Sequence, residues 1–190
     1  MRLRLERRAS PISPLLMVTD EAGALRALEF ADHGARMHRL LREHYGEYAL
    51  QEGAAPVSCA RAIDAYFKGS LDALADVRIA TGGTPFQRQV WNALRAIPPA
   101  ITVSYGQLAA SLGRAGASRA VGAANGANPI AIVVPCHRVI GATGTLTGYA
   151  GGLARKRWLL DHERRFAPTG RTSGERPGTR FSAKRVHEHA

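Results

Sequence analysis

Residues 128–140 read NPIAIVVPCHRVI, and both fold and chemistry turn on how this stretch is read. Ile130, Ala131, Ile132, Val133 and Val134 form an apolar, β-branched run, which predicts a buried strand. Pro135 ends the run, and Cys136, His137 and Arg138 follow at once. A thiol beside an imidazole at the end of a buried element is a candidate nucleophile with its base. The plain alternative is a cysteine packed as core, since free cysteine is among the most buried residue types.

Upstream stands SYGQLAASLGRAGASRAVGAANGANP, residues 104–129. Ser104 with Gln107 makes a capping box. Tyr105, Leu108, Ala109 and Leu112 mark a short helix that Gly113 closes. After a turn over residues 114–117, Ser118 is expected to cap a second helix, rich in Ala and Gly and ending near Gly126. The pair has the helix-turn-helix pattern. Arg119 is the long polar side chain near the start of the second helix. Small residues around one arginine suit close backbone docking in the minor groove better than a base-edge code.

Downstream, GATGTLTGYAGG (141–152) carries five glycines around Tyr149 and reads as a loop whose backbone can approach a ligand. A last helix is expected over 154–162, with Arg155, Lys156 and Arg157 exposed, Trp158 and Leu159 packed, and Glu163 closing it.

Residues 1–83 read as a small α/β unit. Leu3 and Leu5 alternate with arginines as in a half-buried strand. The runs 15–19 and 24–30 flank the turn DEAG and predict a hairpin. Met37, Leu40, Leu41 and His44 recur at helical spacing, as do Ala60, Ile63, Tyr66 and Phe67 before Gly69. His38 and His44 lack a third ligand and read as a wet helix face; Cys59 reads as packing. Thr81, Gly82 and Gly83 mark a boundary. Thr84 then caps a helix with Pro85 at its first position and Phe86, Val90, Trp91 and Leu94 as its apolar stripe, ended by Pro98 and Pro99.

Of 190 residues, 45% are apolar, enough for a real core, and the net charge is +11. That charge is uneven. Residues 1–83 hold 11 basic and 11 acidic side chains, whereas residues 84–167 hold 10 basic ones against Asp161 and Glu163. The remainder, 168–190, adds five basic residues against two acidic ones and reads as a disordered basic tail. The basic field lies on the segment that carries Cys136, and phosphate is its natural counter-charge. Two distant cysteines exclude a disulfide framework and zinc-ligand spacing and fit a reducing cytoplasm. The N-terminus has no apolar stretch suited to a signal peptide, and nothing approaches the roughly 20 apolar residues of a membrane span.

PCHRVI, followed at this spacing by GYAGG and WLLDHE, resembles the O6-alkylguanine-DNA alkyltransferases, most strongly over 128–152 and more loosely across 84–163 and the first half. The resemblance implies an α+β fold: a small N-terminal α/β, ribonuclease-H-like domain over 1–83, then a mostly helical, winged-helix-like domain with a helix-turn-helix over 84–167. It implies Cys136 as alkyl acceptor, His137 and Glu163 as its activating partners, and Asn128 as a brace for the active-site turn. Tyr105 would push the damaged nucleotide out and assist its leaving oxygen. Arg119 would fill the place of the extruded base. Val139 and the Tyr149–Ala150 backbone would line the guanine pocket, and Gly106 and Arg114 match positions that contact the DNA backbone. Ala150 stands where some members have Ser, and Gly126 where some have Arg. Residues 168–190 match nothing in the family.

This chemistry has a physical logic. The alkyl carbon on guanine O6 is open to in-line displacement, but only a thiolate attacks well, and a free cysteine is a few per cent thiolate at pH 7. A histidine oriented by a carboxylate supplies the base. Neighbouring side chains on an extended strand point oppositely, so a turn at Cys136, or a water between thiol and imidazole, is expected. The base must leave the stack to be reached. The expected reaction is therefore a single, irreversible transfer from O6-alkylguanine, with O4-alkylthymine as a second lesion. It would run on double-stranded DNA, by a monomer, with no metal or organic cofactor. A cysteine hydrolase or a non-catalytic helix-turn-helix DNA-binding protein are the rival readings.

Overall fold

A computed structural model describes residues 1–168. All but the first residue of the expected basic tail lies outside the described residues. Strand β1 (Arg2–Arg8) shows the predicted alternation, with Leu3 and Leu5 buried and Arg2 and Arg4 exposed. Strands β2 (Leu15–Asp20) and β3 (Leu25–Phe30) form the predicted antiparallel hairpin. The Asp20 carboxylate accepts the Ala24 N–H at 2.9 Å and fixes the turn. A short strand β4 (Ala49–Glu52), too short and polar to show a period, pairs parallel with β1 and completes the order β3-β2-β1-β4.

Every residue of β2 is buried, because the sheet is covered on both faces. Leu16 and Val18 meet Leu3, Leu5, Met37 and Leu41 under helix α1 (Gly34–Tyr45). Leu15 and Met17 face the other way, into a cluster that includes Ile63 and Tyr66 of α2 (Val57–Phe67) and Trp91 of α3 (Pro85–Arg95). Thr84 and Gln87 close the α3 capping box in both directions, which locks the predicted helix start.

The rest of the chain runs through β5 (Val103–Ser104), α4 (Tyr105–Ser111), α5 (Ser118–Gly126), β6 (Val139–Ile140) and α6 (Leu153–Phe166). Strands β5 and β6 pair parallel, Val103 with Val139 and Ser104 with Ile140. This places the first residue of α4, Tyr105, beside the chain that leaves the Cys136 turn. The architecture is thus α+β, with an N-terminal sheet and a helical C-terminal region.

Several local expectations are corrected. Residues 130–134 do not form a strand. Ile130 makes a single bridge to β3, with Leu28 N–H donating to Pro129 O at 3.0 Å and Ala131 N–H to Leu28 O at 2.8 Å. The chain then curls: Val134 N–H returns to Ile130 O at 3.0 Å, and Ile132 takes φ 69°. The continuous apolar run encodes burial on all sides, and Ile130 to Val134 are indeed buried, but it does not encode extension. Ser118 is the first residue of α5 rather than its cap; Ala117 occupies the cap and offers no side-chain acceptor. Helix α6 continues past Glu163, and Lys156 is fully buried rather than exposed. Arg155 is half-buried, pairing with Asp32 at 2.8 Å and lying 4.5 Å over the Phe30 ring.

Candidate active site

Cys136, His137 and Arg138 form one 3-10 turn. This is the turn expected at Cys136. It sits at the end of the curled segment, and the side chain of Asn128 holds it there. Asn128 Oδ1 accepts the Ile130 N–H at 3.0 Å, while Nδ2 donates to Val134 O at 2.9 Å and to Cys136 Sγ at 3.1 Å. One buried amide thus closes the backbone turn and touches the sulfur. The bridge from Ile130 to β3 fastens the same segment to the N-terminal sheet.

The turn points His137 into the protein. Its Nε2 lies 2.8 Å from Glu163 Oε1, both side chains being fully buried. Glu163 comes from the third turn of α6. It also accepts from Arg138 Nη2 at 2.8 Å, from Tyr66 Oη at 3.0 Å and from the Ala100 N–H at 2.9 Å. Burial alone would raise the Glu163 carboxyl, but His137 and Arg138 beside it hold it well below the usual carboxylate range. Burial pushes the imidazole down, against the pull of Glu163, so His137 is neutral at pH 7. A charged carboxylate beside Nε2 fixes the tautomer with the proton on Nε2. Nδ1 then carries the lone pair, and it is buried with no hydrogen-bond partner among the described residues.

Cys136 is 6% exposed. Burial raises its pKa, while the Asn128 hydrogen bond and the charges of Arg36 and Lys156 pull it down; the net direction is up. The resting sulfur is therefore a thiol that needs a base. Cys59 is pushed up to about 11 by burial and by Glu6.

The other predicted residues divide into two groups. Tyr105, Val139 and Tyr149 gather around Cys136. Val139 is buried in β6. Tyr105 Oη leans on Thr147 O and Gly148 O at 3.4 and 3.3 Å. The Tyr149 hydroxyl is buried and unpartnered among the described residues, and its pKa is raised by burial and by a Cys136 thiolate nearby. Arg119, Gly106, Arg114 and Ala150 stand on the surface. Arg119 shares an exposed face of α5 with Ala120, Ala123 and Gly126. Val121 and Ala124 of the same helix are buried, and Ala124 O accepts the Trp91 indole N–H at 2.9 Å. Arg114 lies 5.2 Å over the Phe86 ring.

Residues 85–165 match the family described as 6-O-methylguanine DNA methyltransferase, DNA binding domain. The methylated-DNA–protein-cysteine methyltransferase of Salmonella typhimurium is 56% identical over 165 residues, covering 86% of this chain and 96% of the relative. The chain belongs to the methylated-DNA–protein-cysteine methyltransferase family. A member from Methanosarcina acetivorans is 44% identical over 162 residues, covering 81% of this chain and 94% of its own. The crystal structure of Mycobacterium tuberculosis O6-methylguanine methyltransferase superposes with a TM-score of 0.72 at 42% identity, over 88% of this chain and 96% of that one. A complex of the M. tuberculosis protein with DNA gives 0.70 at 39% identity, over 89% of this chain and 96% of that one.

In this methyltransferase, several site residues were not legible in the sequence. In the sequence Arg138 is only one letter of the PCHRVI string, yet it is buried and forks onto Glu163 while its Nη1 donates to Ile97 O. Tyr66 reads as helix core and is core, with its hydroxyl donating to Glu163. Arg36, from α1, pairs with Glu29 and donates to Gly126 O and Asn128 O, tying the first half to the Asn128 brace. Lys156 donates to Val139 O and Thr147 O. The one available signal was the +8 excess of residues 84–167, which could not say which charges turn inward.

Proposed function

We propose that the chain repairs DNA by transferring the alkyl group of O6-alkylguanine, flipped out of the duplex, irreversibly to Cys136. O4-alkylthymine, with an alkylated exocyclic oxygen of the same kind, is the second substrate, and a single chain acts on one lesion. Residues 84–167 carry the DNA contacts and the acceptor, and residues 1–83 are the scaffold. The Cys136–Arg138 turn carries this reading. It presents a thiol, held by Asn128, next to a neutral imidazole whose far nitrogen is anchored on a charged carboxylate.

His137 Nδ1, with its free lone pair, takes the thiol proton through a bridging water. Glu163 stabilises the imidazolium that forms and stays ionised, because Arg138 and Tyr66 already engage it. The thiolate attacks the alkyl carbon in line, the C–O6 bond breaks, and its electron pair leaves with the guanine. Tyr105 stands at the pocket mouth. Its hydrogen bonds to the 147–148 carbonyls are long and cheaply exchanged, so its hydroxyl can donate to the leaving base. Val139 and the backbone at Tyr149 and Ala150 line the base pocket. The exposed Arg119 enters the stack in place of the extruded base, and the small residues beside it let α5 approach the backbone, with Gly106 and Arg114 on phosphates.

The product is a thioether, which has no hydrolysable bond, so each chain acts once. Duplex carrying methylated guanine in tenfold excess should yield one demethylated base per chain and then a plateau. Continued turnover would favour a cysteine hydrolase, and tight binding without any demethylation would favour a simple DNA-binding protein.

A further inference from the structure

Lys156 is a fully buried cation that pairs with no carboxylate among the described residues. Lysine is almost never buried in this way without a counter-charge, so its environment calls for a reason. Its Nζ donates to two carbonyls, Val139 O at 2.6 Å and Thr147 O at 2.7 Å. Val139 follows the Cys136 turn. Thr147 lies in the glycine-rich loop that leads to Tyr149, and Tyr105 Oη leans on the same carbonyl. The loop's own hydrogen bonds are internal, Gly141 N–H to Thr145 O at 2.8 Å and Gly144 N–H to Gly141 O at 3.0 Å, and residues 142–145 are exposed.

We propose that Lys156 is a positioning residue: its ammonium pins the 141–148 loop to β6 and so holds closed one wall of the base pocket beside Cys136. This rests on the alkyl-transfer reading for its consequence, but not for its geometry. From α6, the side chain reaches between the strand and the loop, and among the described residues the hydrogen bonds to Thr147 O come from Lys156 and the Tyr105 hydroxyl. The titratable groups facing it are Cys136 and His137 of the 3-10 turn, both neutral at rest; Tyr105 of α4 and Tyr149 are the neighbouring phenols. Glu163, further along α6, is engaged by Arg138. Burial lowers the lysine to about 8, and a Cys136 thiolate opposes that shift. The pin is therefore charged below about pH 8 and weakens above it.

Two readouts test this. In the DNA-free wild-type protein, hydrogen-exchange protection factors of the Gly141 and Gly144 amides should fall as pH rises through about 8. In Lys156→Met they should be low at every pH. With saturating duplex carrying methylated guanine, Lys156→Met should transfer roughly a hundredfold more slowly, as for a displaced reacting group. Its affinity for undamaged duplex should be unchanged, and the wild-type alkaline limb in the transfer rate should be absent. Wild-type-like protection in Lys156→Met, or wild-type protection that stays constant across pH 8, overturns the pin. So does a variant that transfers as fast as wild type. If Lys156→Met does not fold, the wild-type pH series decides alone. If wild-type protein transfers nothing, the alkyl-transfer reading fails, while the exchange data still judge the pin.

Discussion

At the scale of single residues, the site is a chain of dependencies ending on Glu163. Its carboxylate is fully buried and stays charged because Arg138 forks onto it, and that charge fixes the tautomer of His137. Arg138→Met should therefore be severe: stranding a buried charge costs about 3–5 kcal/mol. Thermal melting should show a clear drop in Tm, larger than for His137→Ala. The pH dependence has a definite sign. Glu163 and His137 both have folded pKa values below their ordinary ones, 4.5 and 6.5. Each contributes stability that is present above those values and is lost as pH falls through the depressed ones. Melting temperature should thus begin to decline below about pH 6.5 and fall more steeply below about 4.5. In Arg138→Met, Glu163 titrates higher, and the acid limb should move to higher pH. Cys136, His137, Asn128 and Glu163 were legible because they lie in short strings of fixed spacing. Arg138 and Lys156 were not. A cation looks alike in sequence whether it is solvated or buried, and the partners that bury these two, Glu163 and the Val139 and Thr147 carbonyls, lie elsewhere in the chain.

At the scale of elements, hydrogen-bond chemistry written in adjacent residues was readable, and pairing with distant backbone was not. The capping box at Ser104 and the helix start at Thr84 fall where their sequences put them. The two-residue strands β5 and β6 have no period to detect, and the curl of residues 130–134 depends on the Asn128 amide and on β3. The GYAGG string has a steric reason. A Cβ on Gly151 would lie 2.4 Å from the Phe30 ring and 2.8 Å from the Tyr149 ring. Gly151→Ala should therefore displace Tyr149, which lies beside Cys136. We expect about 1–3 kcal/mol of destabilisation, with transfer slowed by more than DNA binding; melting and single-turnover kinetics with binding titrations check the two parts.

At the scale of the whole molecule, the two halves share one apolar cluster. It runs from Leu15 and Leu28 in the sheet through Tyr66 and Trp91 to Val134, Cys136 and Leu159. The boundary that composition suggests at 81–83 is therefore not a break in the core. Unfolding followed by far-ultraviolet circular dichroism and by tryptophan fluorescence should give one coincident transition. Two separated transitions would mean that the halves are energetically independent. The charge asymmetry is also a whole-molecule property: the sheet half is neutral, while the half with the exposed face of α5 is basic. DNA can thus be drawn to the half that carries Cys136, while the sheet half stays neutral.

All of this converges on the sulfur of Cys136, and intact-protein mass spectrometry tests it most directly. After incubation with duplex carrying methylated guanine, the wild-type chain should gain the mass of one methyl group, peptide mapping should place it on Cys136 rather than Cys59, and Cys136→Ser should gain nothing. A wild-type chain that gains no mass while folded and bound to DNA, or a gain that persists in Cys136→Ser, would contradict the account.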